Sequence, residues 1–447
     1  MKLVYKIFYH SYRRTSSVVY WLRRRFTTAG LCVFGSACVS MMVGADAQNT
    51  VTYQVFALLM VIMILAFACS WAFRAKFSAT RNLPRFGTAG QPVLYTVQVK
   101  NLTAGVQKGL TLLENCADPR PSFDDWLAFQ RGENKRVAPF SISNRRPNPF
   151  RLAEIKEAEV PPMPVRGEVE TSMQVVPLRR GVLRFTGVTL ARPDPFGLFR
   201  SLVRTPANDA MLILPKRYNL ASVPLPGMMK YQENGVALAA NIGRSEEFVS
   251  LREYRRGDPL RHIHWRSWAK AGKPIVKEFE DEFFVRHALV LDTFTGESFS
   301  EILEEAVSVA ASFACTMLTQ ESLLDLLFVG SQTYCFTAGR GVAHADQMLE
   351  ILASVQACAD KPFSVLENLV LNHVSAVSGV ICVLQSWDEE RQNFIKKMRM
   401  MDLPVIVLVV VQPETGELDA GPMRDLPENF RVLKIGKIQE ELIKLGG

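Results

Sequence analysis

Two apolar stretches dominate the N-terminal part of the chain. The first runs from Phe26 to Val43 and is rich in Ala, Gly and Ser; the second runs from Val51 to Phe73 and is unbroken from Val55 to Ala68. A helix needs about 20 predominantly apolar residues to cross a bilayer, and lipid offers backbone groups no partner outside the segment. The pattern predicts two N-terminal transmembrane helices forming a hairpin over 26–73. The first stretch alone would suit a signal-peptide core after a basic n-region, but its length and the second span at once behind it argue against that.

From Gly87 to Leu214 the period changes. Pro92–Asn101, Val169–Val176, Gly181–Phe185 and Met211–Leu214 are short strand-like runs separated by Arg180-Gly181 and by Pro193–Gly197. Short strands between such turn residues predict a β-sandwich, with Asn144–Pro149 as a loop. Pro215–Gly243 carries scattered Pro and Gly and reads as a linker. Further on, Ala288–Leu291, Leu323–Val329, Gly379–Leu384 and Val405–Val411 are continuous apolar runs. Between them Ile302, Leu303, Ala306, Val309, Ala310 and Phe313 recur at helical spacing. A hairpin-like Thr333–Thr337, a helix at Ala345–Gln356 and a charged amphipathic helix at Asp388–Met401 complete the pattern. Strands buried on both faces that alternate with helices predict a parallel, doubly wound sheet. The expected organisation of the 447 residues is a basic N-terminus (1–25), the hairpin (26–73), a β-sandwich-like domain (84–215), a linker with a charged segment (216–287) and the doubly wound domain (288–447). The fold class is α/β with an all-β part.

Charge sets the orientation. Lys2, Lys6, Arg13, Arg14, Arg23, Arg24 and Arg25 are unopposed by any acid within the first 25 residues, and Arg74, Lys76, Arg81 and Arg85 follow the second stretch. The link Gly44–Thr50 holds one acid and no base. The positive-inside rule then puts both termini in the cytosol, and the basic N-terminus suits anionic membrane lipid. The net charge of +8 accompanies no nucleic-acid reading module, so no nucleic acid is expected. The eight cysteines (Cys32, Cys38, Cys69, Cys116, Cys315, Cys335, Cys358, Cys382) form no CxxC and suit a reducing compartment.

The densest chemistry lies between Glu246 and Pro274. Arg252, Arg255, Arg256, Asp258, Arg261 and Arg266 stand beside Tyr254, Trp265 and Trp268, with Glu253 and a turn at Gly257-Asp258-Pro259. Arginine pairs with carboxylates and stacks on rings. The arrangement predicts either an internal network that locks the segment to the sheet or a docking surface for an acidic partner. A catalytic or phosphate-binding role has no nucleophile motif or Gly-rich cradle to support it. His262 and His264 form an HxH pair that would share one side of a strand, but no third ligand lies nearby and the neighbours are cationic. GxxxxGK[ST], a Gly-rich dinucleotide turn, GxSxG and HExxH do not occur, so no catalytic residue and no cofactor is assigned.

Leu251, Arg252, Glu253, Tyr254, Gly257, Asp258, Arg261, Ile263, Trp265 and Ala269 fit the pattern LReY-x-x-GD-x-x-R-x-I-x-W-x-x-x-A, which resembles the signature of the domain-of-unknown-function 58 family. Arg192–Phe199, preceded by Arg180-Gly181, resembles an upstream element of the same family, and the paired spans fit it too. The resemblance implies a C-terminal von Willebrand factor A-like domain, residence in the inner (cytoplasmic) membrane as a multi-pass protein, and a MoxR-type AAA+ ATPase as partner in assembling or maturing other proteins. In A-domains that bind Mg²⁺, a DxSxS loop with a later Thr and Asp supplies the oxygen ligands. Here that loop reads Asp292-Thr-Phe-Thr-Gly296, the later Thr is missing from Gly339–His344, and Gln385 or Ser386 stands at the later Asp position. Asp292, Thr293, Thr295 and Asp388, with Ser298, are left as weak candidates for a degenerate site, so no metal is expected; Asp292 would instead cap a helix or accept backbone hydrogen bonds. The leading expectation is a non-enzymatic scaffold or adaptor on the cytosolic membrane face. A metal-dependent adhesion-type binding module, and an enzyme with an unrecognised site around the charged segment, are the alternatives.

Overall fold

The computed structural model describes residues 2–43, 50–71, 73, 75–136, 150–220, 248–256, 258, 260–279, 286–296, 299–317, 323–339 and 342–444. All but Thr50 of the expected link 44–50, the loop at 144–149 and most of the linker at 215–243 lie outside them. The chain forms two compact units. The first comprises Met1–Lys216 with Glu297–Phe299 and Leu352–Ser354; the second comprises the remainder.

The first unit runs α1 (Lys2–Arg25), α2 (Thr28–Val43), α3 (Thr50–Trp71), β1 (Phe77–Asn82), β2 (Phe86–Thr88), β3 (Val93–Asn101), β4 (Leu110–Cys116), α4 (Phe123–Arg136), β5 (Ala153–Ile155), β6 (Ala158–Val160), β7 (Glu168–Pro177), β8 (Gly181–Pro193), β9 (Arg200–Thr205) and β10 (Asp209–Leu214). One sheet has the order β1-β3-β7-β5 and the other β2-β10-β8-β4-β6, with β9 added on β8. Alternate residues of both sheets (Tyr95, Val97, Val99, Met173 and Val175 from one; Leu112, Phe185, Leu190, Met211 and Ile213 from the other) fill a single core, the arrangement of a sandwich.

Arg81 sits inside this sandwich, its side chain fully buried. All five of its N–H groups are used, on Glu114, Asp209 and the carbonyls of Ala207 and Gly187, and the guanidinium lies over the Phe185 ring. Tyr95 donates its hydroxyl to Glu114 at 3.0 Å. Arg81 is therefore an internal tie between the two sheets and not a charge flanking a span.

Of the apolar helices, α3 is long and apolar enough to cross a bilayer over Val51–Trp71. The first expected span is shorter than its apolar run. Phe26 is buried against the sandwich, bridging to Phe199, and α2 begins only at Thr28. Sixteen residues rise about 24 Å, short of a hydrocarbon core of about 30 Å. A pair of membrane-crossing helices is thus reduced to one helix of spanning length with a shorter apolar helix packed along it.

The base of this pair is fixed by the turn between β8 and β9. Buried Asp194 accepts from the backbone N–H of Phe196 (3.1 Å), Leu198 (2.7 Å) and Phe199 (2.8 Å), and Gly197 takes the left-handed conformation at φ 68°. The turn presents Leu198 and Phe199, which pack with Phe26 and Ala66. Thr27 donates its hydroxyl to the Gly197 carbonyl and caps α2 by accepting from Gly30 N. A side chain at Gly30 would collide with the Leu198 carbonyl. Ser201 donates to the Ser70 carbonyl at the end of α3.

The second unit runs β11 (Phe248–Glu253), α5 (Trp265–Ala271), β12 (Ile275–Phe279), β13 (Arg286–Leu291), α6 (Glu301–Met317), β14 (Leu323–Val329), β15 (Thr333–Ala338), α7 (Val342–Ser354), α8 (Ser364–Leu371), β16 (Gly379–Leu384), α9 (Glu389–Met400), β17 (Val405–Val411), β18 (Phe430–Lys434) and α10 (Ile438–Ile443). β11 and β12 form an antiparallel ribbon. The main sheet has the order β15-β14-β13-β16-β17-β18, parallel except for the edge strand β15. Every residue of β13, β16 and β17 is buried. Val290, Cys382 and Val407 face a core shared with α8 and α9, while α6 packs against β13, β16 and β17. The continuous apolar runs follow from this covering of both faces.

Two outcomes test this account. Asp194→Ala leaves the buried N–H donors of Leu198 and Phe199 and the half-buried one of Phe196 unpaired and is expected to cost about 2–4 kcal/mol, read as a lower denaturant midpoint and faster proteolysis between Trp71 and Phe77. His287 is buried in β13 with neither ring nitrogen hydrogen-bonded among the described residues, and desolvation pushes its pKa down from 6.5 to about 4. Between those values the unfolded chain takes up a proton that the folded chain refuses, so stability falls as pH drops through that window and is fully present above it. His287→Leu should flatten this dependence, removing a loss on the order of 3 kcal/mol in melts run from pH 7 to pH 4.

Candidate functional site

The charged segment folds on itself. The ribbon of β11 and β12 pairs Arg252 with Val276 and Glu253 with Ile275, and a 3-10 turn at Leu260–His262 leads into α5. Asp258 is the organising acid. Arg252 donates to both of its oxygens, at 2.7 and 2.8 Å, and Arg255 N adds a third bond at 2.7 Å. The Arg252 guanidinium and that N–H hold the carboxyl down at about 2. Tyr254 N donates to the Pro274 carbonyl and His264 N to that of Ile275, closing the loop onto the ribbon. Ile263 and Val276 are the apolar pins. Glu253 pairs with Lys273. Gly257 and the side chain of Arg261 lie outside the described residues.

The aromatic residues do not join this network. Trp265 and Trp268 stack on each other, ring centroids 5.2 Å apart and planes 18° from parallel. No residue of α5 is buried, and Trp265 is 66% exposed. The contacts of Arg252, Asp258 and Ile263 thus tie the segment to its own ribbon, while Trp265 stands exposed beside the partly buried Trp268. Around it Arg255, Arg256, Arg266 and Lys270 are exposed with no carboxylate partner among the described residues. The surface is aromatic and basic, suited to carboxylates and apolar side chains of another macromolecule. The HxH pair does not sit on a strand. His262 belongs to the 3-10 turn, and His264 precedes α5 with its Nδ1 2.6 Å from Ser267 Oγ.

The second candidate lies where the sheet order reverses, at the C-terminal ends of β13 and β16, the usual ligand crevice of doubly wound sheets. Asp292 is fully buried there. Its Oδ1 accepts from Phe294 N at 3.0 Å; its Oδ2 accepts from Gln385 N at 3.2 Å and from Arg391 Nε at 2.8 Å. Gln385 returns its side-chain amide to the Asp292 carbonyl. Asp388 caps α9 by accepting from Arg391 N, and also takes Arg391 Nη1. Thr293 turns away and donates to the Val329 carbonyl, and Thr295 offers its backbone N–H to Cys358 O. The Arg391 guanidinium therefore bridges Asp292 and Asp388, the place a divalent cation would take between such carboxylates, and stacks on Phe363. Among the described residues no three His, Cys, Asp or Glu side chains converge as a metal set.

Sequence reasoning found both acids and missed Arg391. The available signal was an arginine at the third position after an Asp cap, in the first turn of a helix, where the backbone dipole disfavours a cation. Only a buried carboxylate nearby offsets that cost. Asp292→Asn is expected to destabilise by about 3 kcal/mol, because the buried Arg391 guanidinium loses its buried carboxylate and keeps only the exposed Asp388. Asp292→Asn with Arg391→Met should recover most of that loss in denaturant melts, since both charges are then gone.

Several known proteins resemble parts of this chain. "Uncharacterized protein YeaD" of Bacillus subtilis (strain 168) is 27% identical over 195 residues, covering 43% of this chain and 47% of that protein. The chain thus spans about half the length of this curated relative. Among solved structures, the PapD-like domain 7 of human CEP192 aligns with 31% of this chain and 86% of its own at 10% identity and a TM-score of 0.17. A GH20 exo-β-N-acetylglucosaminidase from Vibrio harveyi aligns with 76% of this chain and 57% of its own at 7% identity and a TM-score of 0.13. Such TM-scores bear on neither fold nor function. The family match falls on the ribbon, α5 and the main sheet: residues 250–437 fit the family described as "Protein of unknown function DUF58".

Proposed function

We propose that this protein is a membrane-anchored protein-binding adaptor that engages an acidic partner through the Trp265/Trp268 surface. The observation that carries the reading is a ring stack, Trp265 exposed and Trp268 partly buried, on a helix with no fully buried residue. Aromatic and arginine side chains of this kind are the usual anchors of protein interfaces. α3 is the anchor in this reading. Both termini lie in the cytoplasm if the shorter α2 crosses beside it through locally thinned lipid, an arrangement favoured by the basic residues on the two outer flanks.

The strand order with one antiparallel edge strand supports a von Willebrand factor A-like reading of the main sheet. In that reading Arg391 takes the metal's place, which disfavours a metal-dependent adhesion module. The family resemblance makes a MoxR-type AAA+ ATPase the partner to test first, in assembly or maturation of other proteins.

Crosslinked capture of the tagged full-length chain from membranes, with and without ATP and Mg²⁺, followed by mass spectrometry, tests the proposal. Recovery of an AAA+ ATPase is expected, reduced at least about tenfold by Trp265→Ala with Trp268→Ala, each lost anchor weakening binding by about 1–2 kcal/mol. The melting temperature should stay unchanged. Undiminished capture by that variant would remove the stack from the interface, and absence of any ATPase would remove that partner.

A further inference from the structure

We infer that the cleft between the end of α1 and the sandwich seats the phosphate headgroup of an anionic phospholipid. The inference rests on the membrane anchoring proposed above, because the cleft's position relative to α2 and α3 supplies the choice of ligand.

The cleft has a volume of about 1100 Å³. Its walls hold three acids, and each is already matched to an arginine: Glu114 to Arg81, Asp118 to Arg120, and Glu157 to Arg200. Five of its cations have no carboxylate among the described residues. Arg24 donates only to neutral oxygens, Asn115 Oδ1 and the Glu114 carbonyl. Arg204 reaches only the Thr186 hydroxyl and carbonyl. Arg23, Lys156 and Arg184 stand exposed on the walls. A concave surface with its acids neutralised and several guanidinium groups left over is charged for a phosphate ester, which guanidinium binds by paired N–H donors.

The lipid source follows from the chain path. Arg23 and Arg24 close α1 two to three residues before Phe26, and α2 begins at Thr28. Phe26 packs with Phe199 and with Ala66 of the candidate span. The cleft therefore opens beside the base of the apolar helices, at the depth where headgroups lie when α3 is in a bilayer. Tyr20 and Trp21 contribute to the same wall and are half exposed, the residue types that favour the membrane–water boundary. Leu152, Ile155 and Leu183 add apolar lining, which suits the glycerol and upper acyl carbons.

Native mass spectrometry of the detergent-solubilised full chain, titrated with phosphatidylglycerol and phosphatidylcholine, tests the inference. One phosphatidylglycerol should bind with a preference of at least about tenfold over phosphatidylcholine. Arg184→Glu with Lys156→Glu should abolish that preference, since each basic group near an anionic headgroup is worth about a fivefold effect. Both residues are exposed, so the melting temperature should hold; if it falls, Arg204→Gln provides the same test at a neutralised site. Equal binding of the two lipids by a chain still recovered in membranes would overturn the cleft and leave the anchor standing. Recovery of the chain from the soluble fraction would overturn the anchor and the inference with it. Displacement of the lipid by free glycerol phosphate at comparable concentration would also overturn it, assigning the site to a soluble phosphate ester.

Discussion

A single carboxylate, Asp194, determines how the sandwich meets the apolar helices. A turn that leaves one sheet strand and returns to pair with it must satisfy its backbone N–H groups away from water, and Asp194 takes three of them. The same geometry pushes Leu198 and Phe199 outward as a pair, and they become the seat for Phe26, Thr27 and α3. The Pro193-Asp-Pro-Phe-Gly197 stretch is thus more than turn chemistry. It couples a β-sandwich to a segment of membrane-spanning length through bonds from the Asp194, Thr27 and Ser201 side chains to backbone groups. The position of α1, and of the cleft that α1 helps to form, depends on that coupling, because α1 joins α2 through Phe26 and Thr27.

Arginine plays the matching part in both units. Glu114, Asp325 and Asp292 are carboxylates removed from water, and each has a guanidinium against it: Arg81, Arg286 and Arg391. A buried carboxylate without a cation costs several kcal/mol. Arginine suits the task because its planar fork satisfies several acceptors at once, as Arg81 does with all five N–H groups. These ties add specificity at a stability cost that packed apolar residues would avoid. They hold particular elements in particular places: β1 against β4, β13 against β14, and α9 against the end of β13.

What the sequence revealed and what it hid divide along the same line. The runs Gly379–Leu384 and Val405–Val411 were legible as buried strands because both faces are covered and every position is apolar. The alternation of β3 was legible because one face points inward. β1 was hidden, since Arg81 occupies a core-facing position and a charge there reads as solvent-exposed. Arg391 was hidden for the same reason. α1 was hidden because the face it packs on α4 is made of Tyr5, Tyr9 and Tyr12, interleaved with basic residues that read as a solvated tail. α2 was overestimated because apolar composition continues through Phe26, and composition alone cannot tell a residue that enters lipid from one that plugs a protein surface. Within the charged segment, the Arg252–Asp258 pairing was legible as chemistry. The outward stack of Trp265 and Trp268 was not, because aromatic residues beside a sheet are ordinarily buried.

The switch-point crevice and the Trp265/Trp268 surface bear on each other through the same reasoning. In a doubly wound sheet the crevice beside β13 and β16 is where a ligand would gain the most from converging backbone dipoles. Here Gln385 and Arg391 already occupy the oxygens of Asp292, so a ligand would first have to displace a buried ion pair at a cost of several kcal/mol. The Trp265 indole, exposed and stacked on a partly buried Trp268, has no such prior commitment. Binding there displaces only water from apolar rings, and Asp258, already paired with Arg252, need not move. On energetic grounds the recognition proposed above costs less at the Trp265/Trp268 stack than in the crevice, where the Asp292–Arg391 pair ties α9 to the sheet.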